Sequence, residues 1–168
     1  MAMLYDDVTE ERLEHFAHLI CEREDVLYSW RNTLIAETDR PVGMVTAYDG
    51  RNYRSLRDIT MTLVKEHLGI EFPGMEDEAL PGEYYIDSLA VMPAHRGQGI
   101  GRALLSHAIE QGHERGLRVT LAVDPDNPKA QRLYSSLGFS PAGTLFIFGH
   151  DYIKMEHHSS HNQGALYS

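Results

Sequence analysis

Apolar positions recur at helical spacing in four stretches of the chain. Leu13, Phe16, Ala17 and Ile20 form one stripe within residues 9–24, with Thr9 placed as an N-cap and Glu10 and Glu11 in the first turn. Leu56, Ile59, Thr60, Leu63 and Val64 form a second stripe over 53–68, stopped by Gly69. Leu104, Leu105, Ala108 and Ile109 mark a third helix over 101–115, closed by Gly116, and a short fourth spans 128–137 before Gly138. Strand-like runs fall at 33–37, 42–48, 83–91, 118–123, 139–142 with 144–148, and 152–155. The turn Thr38-Asp39-Arg40-Pro41 makes the first two an antiparallel hairpin, and Asp49-Gly50 ends the second. Residues 71–82 read as an acidic loop broken by Pro73, Gly74, Pro81 and Gly82. Helices interleaved with strands in this order predict a single mixed α/β (α+β) domain over 1–156. Residues 157–168, with His157, His158 and His161, read as a flexible tail whose histidines match no standard metal-ligand spacing.

Composition narrows the class. The 168 residues are 42% apolar and 24% charged, enough for one well-packed core, and the single cysteine excludes a disulfide framework or a cysteine-rich zinc module. Cys21 sits within a helical pattern and reads as a small buried apolar residue. The net charge of -10, from 25 acidic against 15 basic residues, argues against nucleic acid or an anionic membrane as a nonspecific partner. No apolar run approaches the roughly 20 residues of a membrane span. The start Met1-Ala2-Met3-Leu4-Tyr5-Asp6-Asp7 lacks the basic and apolar regions of a signal peptide, so a reducing, cytoplasmic setting is expected.

The chemistry concentrates in residues 86–105, where a strand runs into a glycine-rich loop that opens a helix. Gly97, Gly99 and Gly101 allow several backbone N–H groups to converge beside a helix N-terminus, a good seat for a pyrophosphate, with Arg96 and Arg102 as countercharge. A P-loop requires Gly-Lys-Ser/Thr where this chain has Gly101-Arg102-Ala103. A dinucleotide fingerprint started at Gly97 requires glycine where Arg102 stands.

Arg96-Gly97-Gln98-Gly99-Ile100-Gly101 resembles the Q/R-x-x-G-x-G/A signature of the GNAT superfamily of N-acetyltransferases, and the preceding Leu89-Ala90-Val91-Met92-Pro93 is similar to the strand before it. Further along, Asn127, Ala130, Leu133-Tyr134 and Leu137-Gly138-Phe139 resemble that superfamily's second pattern. The resemblance covers about residues 35–155. It implies a mixed, mostly antiparallel central sheet flanked by helices, with a bulged strand that splays from its neighbour to admit acetyl-CoA. It further implies that the backbone of Leu89, Ala90 and Val91 meets the pantetheine arm and thioester, that N–H groups from Arg96 to Gly101 hold the pyrophosphate beside Arg102, that Asn127 and Ala130 border the pantetheine arm, and that Tyr134 protonates the departing thiolate. No metal is implied, and relatives of this kind often dimerise.

Independent chemistry fits those roles. Acetyl transfer to an amine requires a neutral amine, a stabilised oxyanion and a protonated leaving group, and an alkylamine with a pKa near 10.4 is mostly cationic at pH 7. Side chains alternate along a strand, so Glu83, Tyr85, Asp87 and Leu89 are expected on one face. Asp87 is the first choice of base and Glu83 the second, with Tyr85 lining the acceptor pocket. The blander readings are a strand carboxylate satisfied by backbone donors for Asp87 and a core-facing helix residue for Tyr134. His150 reads either as an acceptor-facing proton relay or as a surface turn histidine.

Two departures from the superfamily pattern stand out. A helix and an acidic loop over 51–82 intervene before the strand expected to hold acetyl-CoA. There Glu71, Glu76, Asp77, Glu78 and Glu83 either draw a cationic acceptor or form a solvated loop. Only Met1 to Val8 precede the first helix, where the superfamily usually opens with a strand and helix. The expected function is direct acetyl transfer, in a ternary complex, to a primary amine of a small molecule or peptide. The alternative is a non-catalytic acyl-CoA-binding or regulatory module.

Overall fold

The computed structural model describes residues 8–158; the expectations for Met1–Asp7 and for the tail beyond His158, His161 included, lie outside them. Six strands form one sheet: β1 (Thr33–Glu37), β2 (Pro41–Asp49), β3 (Glu83–Val91), β4 (Arg118–Val123), β5 (Phe139–Ile147) and β6 (His150–His157). Their order is β1-β2-β3-β4-β6-β5, with β3 and β4 parallel and every other pair antiparallel. Four helices flank it: α1 (Glu10–Cys21), α2 (Tyr53–Leu68), α3 (Ile100–Glu114) and α4 (Pro128–Ser136). This is the mixed, mostly antiparallel α/β fold expected.

The helices start and stop where local chemistry dictates. Thr9 Oγ1 accepts from Arg12 N at 3.3 Å at the head of α1, and Gly69 takes the left-handed conformation that ends α2. Pro128 at the first turn and Asn127 at the N-cap begin α4. α1 is shorter than predicted, ending at Cys21, and Cys21 is exposed. It lies on the solvent side of the stripe that buries Phe16 and Ile20, so helix rotation rather than residue type sets its environment. The two short strands expected over 139–148 are one strand, bent by a register shift between Pro141 and Gly143. β6 continues through His157, whose Nδ1 lies 2.8 Å from His113 Nε2, so that histidine belongs to the sheet rather than to a tail.

The main core lies between one face of the sheet and α3. Val45, Tyr84, Ile86, Leu104, Leu105, Ala108, Val119 and Leu121 are all buried there. Gly112 allows the approach: a Cβ at that position would stand 2.5 Å from Val119 Cγ2 and 2.9 Å from Tyr84 Cδ1. On the opposite face α1 and α2 close a second cluster around Phe16, Ile20, Val26, Val64 and Leu68. Between that cluster and the sheet sits a third, built of Leu27, Tyr48, Tyr53, Ala79 and Tyr85. Among the described residues no helix is long and apolar enough to cross a membrane.

Candidate active site

β3 changes partner and phase at Asp87. Against β2, Ile86 pairs with Ala47 and Ser88 with Thr46, which leaves Asp87 as the extra residue of a bulge. Against β4, pairing stops at Ile86 opposite Leu121. β4 itself continues to Val123, paired there with β6. The two parallel strands therefore splay immediately beyond Ile86.

The bulge corrects one expectation. Before it, Tyr84 and Ile86 face α3 while Tyr85 faces the tyrosine cluster. After it, Leu89 and Val91 face α3, since a Cβ on Gly101 would meet their methyl groups at 3.6 Å. Leu89 thus does not share a face with Tyr85 and Asp87, because one inserted residue shifts the two-residue period.

The backbone follows the same logic. Met92 N donates to Val42 O of β2 at 2.8 Å, and N–H groups alternate sides along a strand. Leu89 and Val91 therefore turn their N–H and C=O groups away from β2, into the splay, while Ala90 turns toward β2. Arg96 Nε reaches back to donate to Val91 O at 3.0 Å, on the open side.

The glycine loop adopts backbone conformations that favour glycine. Gly97 and Gly99 have φ of 78° and 83°, a region that favours glycine, and Gly99 caps α3 without any side-chain hydrogen bond. The first N–H groups of α3 are thus left free of a side-chain cap beside Gln98, Ile100 and Gly101. Arg102 is tied elsewhere, donating to Ser136 Oγ at 2.6 Å. Asn127 Oδ1 accepts from Ala130 N at 3.1 Å, so its described contact orders the start of α4. Tyr134 is half-buried on α4, its ring 6.1 Å from that of Phe139 in a T-shaped pair. Its hydroxyl has no hydrogen-bond partner among the described residues, and burial raises its pKa.

Asp87 is held by side chains rather than by backbone. Tyr48 OH donates to Oδ2 at 2.6 Å and Ser88 Oγ donates to Oδ1 at 2.8 Å. Burial raises the Asp87 pKa, and the hydrogen bonds from Tyr48, Ser88 and Tyr28 oppose that rise. Tyr28 is itself raised well above its ordinary value, first by the charge of Asp87 and then by burial.

Glu83 has a different environment. Its Oε2 accepts from Lys154 Nζ at 2.7 Å and Leu80 N at 3.0 Å, and its Oε1 accepts from Arg118 at 3.3 Å. It begins β3, four residues from Asp87, or roughly 13 Å along a strand. The structure does not bring it to the splay. His150 opens β6, with its ring stacked on Tyr152 at 4.3 Å and Nε2 3.9 Å from Asp124 Oδ2, near the end of β4 where the splay opens.

The acidic segment is divided: Glu71 and Glu76 stay exposed, Asp77 is half-buried, and Glu78 and Glu83 are buried. Glu71 pairs with Lys65, Asp77 pairs with Arg54 and Arg57, and Glu76 accepts from Phe146 N. Glu78 is buried, its Oε2 accepting from Tyr85 OH at 2.9 Å and its Oε1 from Tyr53 OH at 3.3 Å. Burial first, and then the charge of Asp87, pushes the Glu78 pKa up to about 7. In the sequence Glu78 is one of several acids in a row. The one local hint of its burial is that Ala79 and Leu80 interrupt the polar run directly after it.

Comparison with known proteins agrees with this architecture. The sequence model described as the acetyltransferase (GNAT) family matches residues 2–139, and the chain belongs to that family. It is 51% identical over 63 residues to mycothiol acetyltransferase of Kineococcus radiotolerans, a match covering 38% of this chain and 20% of that protein. It is 43% identical over 63 residues to N-alpha-acetyltransferase RimI of Mycobacterium tuberculosis, covering 38% of this chain and 39% of that one. The match thus spans less than half the length of either relative. A crystal structure described as an acetyltransferase superposes with a TM-score of 0.74 at 29% identity, covering 92% of this chain and 84% of its own.

Proposed function

We propose that this protein transfers the acetyl group of acetyl-CoA directly to a primary amine, in a ternary complex within a cytoplasmic setting. The observation that carries the reading is the splay of β3 from β4 at the Asp87 bulge, with the backbone of Leu89 and Val91 turned into the gap. A thioester arm fits such a slot, and the free N–H groups around Gly97, Gly99 and Gly101 suit its pyrophosphate.

Asp87 takes a proton from the acceptor ammonium, directly or through water. The neutral nitrogen then attacks the thioester carbonyl. A backbone N–H in the splay stabilises the oxyanion, an interaction worth about 10²–10³ in rate for a well-placed donor. The C–N bond forms to give a tetrahedral oxyanion, its nitrogen gives up a second proton to water, and the adduct collapses with cleavage of the C–S bond as Tyr134 gives its proton to the leaving sulfur; solvent then restores the phenol. A tyrosine kept protonated by burial, with no competing partner, suits that task. Tyr85 and His150 border the acceptor side. The acceptor is a small-molecule or peptide amine; the relatives' names include an N-alpha-acetyltransferase, which supports a peptide α-amine within that class.

The test is calorimetric titration with acetyl-CoA, followed by CoA release in the presence of spermidine, kanamycin and an Ala-initiated hexapeptide. Tight binding together with amine-dependent release supports the reading. Binding without release from any amine would favour a non-catalytic acyl-CoA module, and no binding would overturn both.

A further inference from the structure

Glu78 and Asp87 come from different elements yet share one set of aromatic walls. Tyr48, which donates to Asp87, packs against Tyr53 at 6.1 Å and Tyr85 at 5.9 Å, the two tyrosines that donate to Glu78. Two carboxylates in one desolvated cage would need compensating cations to ionise together. The neighbouring cations are committed elsewhere. Lys154, from β6, directs its Nζ to Glu83 and to the Glu78 main-chain oxygen, while Arg57, from α2, bonds Asp77 and lies against the Tyr53 ring, where its charge favours the ionised Glu78 without offsetting burial and the charge of Asp87. The remaining titratable neighbours are phenols: Tyr53 from α2, Tyr48 from β2, Tyr85 from β3, Tyr28 from the segment after α1 and Tyr152 from β6. None of these supplies a positive charge.

We infer that Glu78 is a positioning residue for proton removal: it shares one proton with Asp87 inside the tyrosine cage, and loss of that proton makes Asp87 the stronger base. The inference rests on the proposed acetyl transfer, and it explains why a carboxylate of the segment before β3 is drawn into the fold rather than left in solvent. In such a pair the protons leave in two steps that belong to both groups. The hydrogen bonds from Tyr48 and Ser88 favour the ionised form of Asp87, and the last proton of the pair leaves near neutrality. The second charge, held in a medium that screens poorly, raises the proton affinity of Asp87 toward an incoming ammonium. Glu78 touches neither acetyl-CoA nor acceptor in this arrangement and works only through Asp87.

Two measurements on the full chain separate this inference from the reading beneath it. Carboxyl carbon NMR with labelled Glu and Asp reads the pair without any turnover. Glu78 is expected to titrate near pH 7 in the wild type and at least one unit lower in Asp87→Asn. Titration below pH 5, or no response to Asp87→Asn, overturns the proton sharing whether or not the protein acetylates anything. The second measurement is the pH profile of kcat/KM for whichever of spermidine, kanamycin and the Ala-initiated hexapeptide turns over. The wild type should rise through a step near pH 7. Glu78→Gln should lose that step and fall about tenfold in kcat at pH 8, with KM within twofold, and Glu78→Asp should restore it. An unmoved step in a folded Glu78→Gln protein overturns the positioning role. Absence of turnover with all three amines overturns the acetyl-transfer reading, and the positioning role falls with it, while the NMR titration still decides the proton sharing.

Discussion

Tyr48 OH lies 2.6 Å from Asp87 Oδ2, bridging β2 and β3 at the point where their register shifts. The bond favours the ionised carboxylate against the burial that disfavours it. Tyr48→Phe should therefore raise the Asp87 pKa further and move the acid limb of kcat/KM upward by about one pH unit, since a hydrogen bond to a charged group is worth about 1.5–3 kcal/mol. A pH profile of CoA release checks this, and a limb that stays in place would mean that another group takes the proton.

Tyr134→Phe should lower kcat by about 10²-fold or more while leaving KM for acetyl-CoA within twofold, as expected for loss of a general acid. Because the hydroxyl has no partner among the described residues, Tm should change by only a degree or two. Steady-state kinetics and a melting curve measure both, and unchanged kcat would remove Tyr134 from the mechanism.

Gly99→Glu should weaken acetyl-CoA binding at least tenfold. The position has a φ of 83°, where an L side chain costs about 1–2 kcal/mol, and the new carboxylate would face an anion. No atom stands within 4 Å of a Cβ there, so the fold should survive. Calorimetry with acetyl-CoA reads the outcome, with Gly99→Ala separating strain from charge.

Stability should depend on pH through Glu78. Its folded pKa of about 7 lies above its ordinary value of 4.5, so between those values the folded chain keeps a proton that the unfolded chain has lost. The stabilisation is complete below about pH 4.5 and is lost as pH rises through 7. Glu78→Gln removes that loss, so its Tm relative to the wild type should be higher at pH 8 than at pH 5, by a few degrees. Equal differences at both pH values would place the Glu78 titration elsewhere.

Gly112→Val should destabilise the protein by about 3 kcal/mol or more, because the added carbons meet Val119 and Tyr84 across the α3–sheet contact. Chemical denaturation measures the loss, and Gly112→Ala should show a smaller one.

Much of the local structure follows from short-range chemistry. Thr9, Gly69, Asn127 and Gly138 punctuate the helices by local chemistry. The apolar stripe of α3 follows from a period of 3.6, and the loop from Arg96 to Gly101 is legible because glycine serves there through backbone geometry alone. Asp87 and Tyr134 were legible as types at positions, but their surroundings were not. The bulge that turns Leu89 to the α3 face exists only because β3 must pair with β2 on one side and leave β4 on the other, a condition set by strands distant in the chain. Glu78 reads as one more charge in an acidic run; only the packing of α2 and β3 around it makes it a buried acid between Tyr53 and Tyr85. Propensity, caps and glycine turns act within a few residues and can be read directly. Register, burial and the proton affinity of a carboxylate depend on which distant groups the fold brings to it, and those were decided by the tertiary structure alone.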